Sequence, residues 1–110
     1  MTDIVFHLAE PDVWAASDEA YQPPSIEIEG FIHCSTRKQL LGVATAFYPG
    51  RDDLVLLTID TGLLDEGTLV YEDLYDHGDH FPHVYGPLPT SAVVSAEPYL
   101  AHLEQGTSKP

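Results

Sequence analysis

Basic residues are scarce in this chain, and their scarcity excludes several classes of partner. Only 4 of the 110 residues are lysine or arginine, against 18 aspartates and glutamates, which gives a formal net charge of −14. Nucleic-acid binding depends on lysine and arginine side chains that neutralise phosphates. We therefore expect no nucleic-acid partner and no attraction to an anionic membrane surface, and we attribute the acidity itself to solubility.

Cysteine and long apolar runs are also nearly absent. The single cysteine, Cys34, cannot form an internal disulfide, so the fold does not depend on an oxidising compartment. The longest apolar run, residues 54–59, is much shorter than the roughly 20 residues of a membrane helix. No signal-peptide pattern and no G-x-S-x-G hydrolase motif is present. These absences predict a cytoplasmic protein of bacterial type, whose oligomeric state the sequence leaves open.

The apolar content is sufficient for one core. With 44% hydrophobic residues, the chain fits a single compact α+β domain over residues 1–100, followed by a flexible tail over 101–110. Residues 17–29 are expected to form a long loop, because Pro23 and Pro24 are excluded from helix and strand interiors. The periodicity predicts strands at residues 3–8, 31–33, 54–59, 68–74, 81–85 and 92–96, and helices at 11–16 and about 36–48.

The densest candidate site is the segment Gly30–Thr36, which reads GFIHCST. His33 ends a short predicted strand, immediately before a helix that Ser35 or Thr36 can cap. Thr36 and Gln39 have the spacing of a capping box. The start of a helix presents backbone N–H groups and a partial positive charge, which favour phosphate or carboxylate. The segment therefore predicts a pocket for an anionic or pyrophosphate-bearing small molecule.

Two of the scarce basic residues, Arg37 and Lys38, directly follow this segment and would add positive charge to the pocket. An alternative interpretation keeps the segment purely structural, with Ser35 as a helix cap and His33 bonded to a buried carbonyl. Cys34 is expected to be a small buried apolar residue and not a nucleophile.

Further histidines and a carboxylate are candidates for the same site. His7 lies in the apolar first strand, where it could face a cleft or be a core histidine with a backbone partner. His83 is placed between two rigid turns, and Glu72 follows Tyr71 on a strand, where it could orient a ribose hydroxyl, stabilise a cation or simply be exposed.

The run His77, His80 and His83 offers a metal-binding alternative, since histidine is a common zinc ligand. Gly78 and Pro82 interrupt helical geometry within it, so we predict no specific metal site there.

Several stretches, in their order and spacing, resemble the bacterial family numbered 952 among domains of unknown function. The similarity extends over about residues 4–98 and is most specific in the G-F-I-H-x-S and F-P-H-x-Y-G-P-L patterns. The matching stretches are Ile4–Leu8, Tyr21, Ser25, Glu29–Thr36 with Gln39, Leu54–Leu57 with Asp60, Tyr71–Glu72, and Phe81–Leu88.

This resemblance implies a fold similar to that of ADP-ribosyltransferases, with two small antiparallel or mixed sheets around an NAD cleft. The superfamily has three site positions. His7 matches the first, which lies on the first strand, and His33 with Ser35 matches the second. The third position stays open between Glu72 and His83. NAD is the implied cofactor, and ADP-ribosyl transfer or NAD hydrolysis is the implied chemistry.

Within that interpretation the tyrosines would stack on a ring and the helix start would take the pyrophosphate. The expected substrate-binding residues are Tyr21, Ser25, Ser35, Thr36, Arg37, Lys38 and Tyr85. Two other functions remain open: a non-catalytic module that binds a small molecule or a partner, and a histidine-rich metal-binding protein.

Overall fold

The computed structural model describes residues 3–74 and 78–99. The predicted tail over residues 101–110 and His77 of the histidine run lie outside the described residues. Within the described part, no helix is both long and apolar enough to cross a membrane.

The described residues form short strands and few helices. The helices are α1 Pro11–Ala15, α2 Ser25–Glu29 and α3 Arg37–Phe47. The strands are β1 Ile4–Ala9, β2 Ala20–Tyr21, β3 Phe31–His33, β4 Val55–Asp60, β5 Leu69–Glu72, β6 Phe81–Tyr85, β7 Leu88–Pro89 and β8 Val93–Pro98. Single-turn 3-10 helices cover Thr61–Leu63 and Thr90–Ala92.

The strands pair antiparallel in two three-stranded sheets and one short ribbon. The first sheet has the order β1-β4-β8, the second has the order β3-β6-β5, and β2 pairs with β7. This arrangement confirms the prediction of a compact α+β domain with antiparallel sheets.

A backbone bridge joins the two larger sheets. The Phe6 N–H donates to the Ser35 carbonyl at 2.8 Å, and the Ser35 N–H donates to the Phe6 carbonyl at 2.7 Å. These two bonds hold the middle of β1 against the residues that follow β3. They therefore place His7 of one sheet next to His33 of the other.

Strand β1 is buried on both faces. Val5 and Ala9 belong to one apolar cluster, which also includes residues of both sheets, and Phe6 and Leu8 belong to a second cluster beneath α3. Because side chains alternate along a strand, His7 shares the face of Val5 and Ala9. This position explains why an imidazole is buried in an otherwise apolar strand.

The predicted loop over residues 17–29 is wrong in part. Residues 20–21 form β2, and α2 begins immediately after Pro24, which has helical φ and ψ values of −56° and −23°. Proline is excluded from helix interiors but is favourable at helix starts, since its φ is already helical. The Pro23-Pro24 pair therefore starts a helix here.

Helical spacing of Leu40, Val43, Ala44 and Phe47 predicts a buried stripe on α3, and this prediction is wrong in part. Leu40 and Ala44 are buried as expected, but Val43 is half-buried and Phe47 is 67% exposed. Val43 and Phe47 lie one turn apart and border the cleft described below. The apolar side chains of α3 therefore face partly the core and partly this cleft.

Candidate functional site

A cleft of about 780 Å³ lies among β1, α2, β3 and the inner face of α3. Its volume is in the range of small-molecule sites. The predicted site residues that line the cleft are His7, Tyr21, Ser25, His33, Ser35 and His83. The predicted site residues outside this lining are Thr36, Arg37, Lys38, Glu72 and Tyr85.

His7 is held by hydrogen bonds at both ring nitrogens. Nδ1 lies 2.5 Å from the His33 carbonyl oxygen, and Nε2 lies 2.7 Å from the Tyr21 hydroxyl. A carbonyl can only accept, so Nδ1 carries the proton and Nε2 accepts from Tyr21. Burial lowers the pKa of His7 to about 4, and it raises the pKa of the Tyr21 hydroxyl. Both groups are therefore neutral at physiological pH.

His33 lies at the exposed side of the cleft and pairs with a residue that sequence analysis did not identify as its partner. Its Nε2 is 2.7 Å from Oε1 of Glu29, the last residue of α2. Gly30 reverses the chain between them with a φ of +92°, a left-handed conformation that favours glycine. The sequence feature that indicates this contact is the spacing E-G-F-I-H, because a sharp turn at the glycine brings the first and fifth residues together.

His83 faces His33 across the β3–β6 pair, with ring centroids 5.5 Å apart. Its ring stacks on Phe31 at 4.0 Å, and only 4% of its side chain is exposed. Nδ1 lies 2.9 Å from the Glu72 carboxylate. Two contacts therefore fix the His83 ring.

Glu72 contacts His83 but is not among the residues that line the cleft. Its carboxylate accepts a hydrogen bond from the Tyr85 hydroxyl as well as from His83. The bond from Tyr85, followed by the bond from His83, lowers the pKa of Glu72 below its ordinary value. Of the two candidates for the third site position, His83 borders the cleft and Glu72 supports it.

Two backbone N–H groups at the start of α3 are bonded to side chains of the helix itself. Thr36 Oγ1 accepts from the Gln39 N–H at 3.3 Å, and Gln39 Oε1 accepts from the Thr36 N–H at 3.0 Å, which confirms the predicted capping box. Gln39 Nε2 also donates to the Asp79 carboxylate and to the His80 carbonyl, each at 2.9 Å.

Arg37 does not extend into the cleft as the sequence suggested. Its guanidinium lies 4.6 Å from the centroid of the Phe6 ring. Because Phe6 and His7 are neighbours on a strand, their side chains point to opposite faces of β1. Arg37 therefore lies on the face of β1 opposite His7, and it is not among the residues that line the cleft.

Carboxylates and apolar side chains complete the cleft, and sequence analysis did not predict them there. The acidic lining residues are Glu10 and Glu29, and apolar walls come from Leu8, Pro23, Pro24, Val43, Phe47, Tyr48 and Phe81. Glu10 is bonded at 2.7 Å to Arg51, which also binds Asp53 at 2.6 Å. The pairing between residues 10 and 51 is long-range, so no local sequence pattern predicts it.

Cys34 borders the cleft but is buried in the core cluster, where burial raises the pKa of its thiol to about 12. It is therefore a thiol at physiological pH and not the reactive thiolate. Among residues 3–74 and 78–99, no group of three or more histidine, cysteine, aspartate or glutamate side chains is placed to hold a metal ion.

No curated protein sequence matches this chain. The X-ray crystal structure of protein CC0527 from Caulobacter crescentus is similar, with a TM-score of 0.76 and 28% identity over 86% of this chain and 84% of that chain. A double-mutant structure of the same protein gives the same TM-score and coverage at 26% identity. A family model described as "Protein of unknown function (DUF952)" matches residues 8–96, and the chain belongs to that family.

Proposed function

We propose that this protein binds NAD in the histidine-lined cleft and cleaves the bond between the ribose and nicotinamide. The ribosyl group would pass to water, as in an NAD glycohydrolase, or to an acceptor, as in ADP-ribosyl transfer. The observation that carries the proposal is the convergence of His7, His33 and His83 on one cleft of ligand size. The proposal includes an ADP-ribosyltransferase-like fold, which two antiparallel sheets beside a cleft support, and a cytoplasmic location.

His83 is the residue best placed to act as a general base. Its Nδ1 donates to the ionised Glu72, so Nε2 is the acceptor in the neutral ring. The carboxylate fixes this tautomer and stabilises the imidazolium that forms when Nε2 takes a proton. Stacking on Phe31 restrains the ring further.

The hydrolytic step breaks the C1′–N bond, and its electron pair passes to the pyridinium ring, so that nicotinamide leaves as a neutral molecule. A water oxygen forms the new bond to C1′, and its proton passes to His83 Nε2. The transition state has a positively charged ribosyl group. Glu29, a carboxylate in the lining, would stabilise that charge.

His7 and Tyr21 would shape the cleft without exchanging protons. Both His7 nitrogens are bonded to protein groups, and its pKa is lowered to about 4. A buried neutral ring of this kind is a rigid wall against which a ligand can be positioned.

Nicotinamide release from NAD, measured by liquid chromatography, tests the activity. We expect release by the wild-type protein and a loss of about 100-fold in His83→Asn, since a general base contributes on that scale. His80→Asn is the matched control, because His80 is exposed and does not line the cleft. An absence of release together with an absence of NAD binding would contradict the proposal.

The second candidate function is a non-catalytic module that binds the same ligand. Its support is the complete hydrogen bonding of His7, which is typical of a structural histidine. This function predicts NAD binding in calorimetry without nicotinamide release during a prolonged incubation.

A further inference from the structure

We infer that the cleft recognises the positively charged pyridinium riboside and not the phosphates attached to it, so that phosphate-free pyridinium nucleosides are its preferred substrates. This inference rests on the proposed function, because it takes the cleft as the place where an N-ribosyl bond is broken. Among residues 3–74 and 78–99, the cleft lining includes the carboxylates of Glu10 and Glu29 and no lysine or arginine.

The basic residue that pairs with a lining carboxylate is already neutralised. Arg51 binds Glu10 with Nη2 at 2.7 Å and Asp53 with Nε at 2.6 Å. One guanidinium between two carboxylates leaves the trio with a net charge of −1. A phosphate would have to compete with two carboxylates that hold Arg51 at hydrogen-bonding distance.

The other basic residues among the described residues lie outside the cleft lining. The guanidinium of Arg37 lies over the Phe6 ring, Lys38 is exposed on α3, and neither residue lines the cleft. The chain has 4 lysines and arginines in total, and the fourth, Lys109, lies outside the described residues. Phosphate recognition normally depends on such side chains or on open backbone N–H groups.

The start of α3 is a poor phosphate site. Its capping box satisfies backbone donors with Thr36 and Gln39, and Gln39 also brings the Asp79 carboxylate to 2.9 Å from its own Nε2. The Asp79 carboxylate adds negative charge near the helix start and repels a second anion.

The aromatic walls suit a flat cation. Phe47 and Phe81 line the cleft, and Phe47 is 67% exposed. Tyr21 and Tyr48 also line it, but Tyr21 is only 1% exposed and the Arg51 guanidinium already lies 5.9 Å from the centroid of the Tyr48 ring. Aromatic faces attract organic cations through their negative π-clouds, and nearby carboxylates add to that attraction. A pyridinium ring is flat, apolar at its edges and positively charged, so it matches these walls and the acidic lining together.

Calorimetry with four ligands separates recognition of the ring from recognition of the phosphates. The ligands are nicotinamide riboside, its reduced and uncharged dihydro form, NAD and ADP-ribose. We expect the riboside to bind at least as tightly as NAD, the reduced form to bind about tenfold more weakly, and ADP-ribose to bind at the limit of detection.

A matched pair of variants tests the acidic lining. Glu29→Gln is expected to weaken riboside binding about tenfold and to leave the reduced form unaffected, since only the charged ring interacts with the carboxylate. Glu27→Gln removes the same charge from the same helix at an exposed position outside the lining, and it should change neither affinity.

Two results would overturn the inference. If ADP-ribose binds as tightly as NAD and the riboside does not bind, the phosphates are recognised and the inference fails while the proposed function stands. If neither NAD nor the riboside binds at millimolar concentration, the inference and the proposed function both fail.

Discussion

Glu72 lies outside the cleft, yet it holds Nδ1 of His83 at 2.9 Å from its carboxylate. The two side chains come from neighbouring antiparallel strands, β5 and β6, so the register of that pair sets their distance. Glu72 is therefore a positioning residue in this account. It selects the His83 tautomer whose Nε2 can accept a proton.

Removing the Tyr85 hydroxyl should change the titration of Glu72. The Tyr85 bond is the largest cause of the lowered Glu72 pKa, so Tyr85→Phe is expected to raise that pKa toward its ordinary value. A carboxyl whose pKa is lowered by folding stabilises the fold above its unfolded pKa, and that contribution is lost as pH falls through the folded pKa. The variant should therefore lose less stability on acidification than the wild type.

Carbon-13 NMR of the glutamate carboxyl groups measures this titration directly. Tyr71→Phe is the control, since Tyr71 lies on the same strand as Glu72 and takes no part in the Glu72 hydrogen bonds. An unchanged Glu72 pKa in Tyr85→Phe would contradict the assigned cause.

His7 should make the fold sensitive to mild acid. The unfolded chain binds a proton at His7 near pH 6.5, whereas the folded protein does so only near pH 4. Between these values the unfolded state holds more protons, so stability falls as pH falls, by up to about 3 kcal/mol from this group. The contribution is complete above pH 6.5.

Urea denaturation at pH 7.5 and pH 4.5 tests this dependence. His7→Asn should show a smaller difference in the free energy of unfolding between the two pH values than the wild type shows. His80→Asn replaces an exposed histidine and should keep the wild-type difference. Equal differences for His7→Asn and the wild type would show that His7 titrates normally.

Tyr21→Phe should destabilise the protein by about 1–2 kcal/mol, because it leaves the buried Nε2 of His7 without its hydrogen-bond donor. The packing of the Tyr21 ring against Trp14 is retained, so the loss isolates the hydroxyl. Tyr71→Phe, at a position that is 41% exposed, should stay within about 0.5 kcal/mol of the wild type. Equal free energies of unfolding for the two variants would argue against the Tyr21–His7 bond.

Two glycine substitutions should have opposite effects on stability. Gly30→Ala imposes a side chain on a residue with φ of +92°, and we expect a loss of about 1–2 kcal/mol. Gly42→Ala lies inside α3 with nothing within 4 Å of the added Cβ, and it should gain up to about 1 kcal/mol. Thermal unfolding of both variants measures the difference, and a stabilised Gly30→Ala would contradict the strained turn.

Local chemistry was sufficient to predict β1, β3 and the capping box of α3. Each of these features depends on residues a few positions apart. The start of α2 was missed because a proline pair both excludes helix interiors and favours helix starts.

The site was less predictable than the fold. Which histidines converge depends on the bridge between Phe6 and Ser35 and on the β3–β6 register, both of which are long-range. The sequence placed Arg37 in the pocket, but its guanidinium lies over the Phe6 ring, outside the cleft lining. The acidic residue Glu10 was missed because its pairing with Arg51 joins distant parts of the chain.

Chemical-shift mapping tests the central claim, that the histidine-lined cleft binds the pyridinium nucleoside end of NAD, most directly. A uniformly nitrogen-15-labelled protein would be titrated with nicotinamide riboside and, separately, with NAD. We predict the same saturable shifts with both ligands, centred on the backbone amides of Tyr21, His33 and His83, and no shift at Val94 on β8, outside the cleft lining. An absence of shifts at millimolar ligand, or shifts centred away from these three residues, would contradict it.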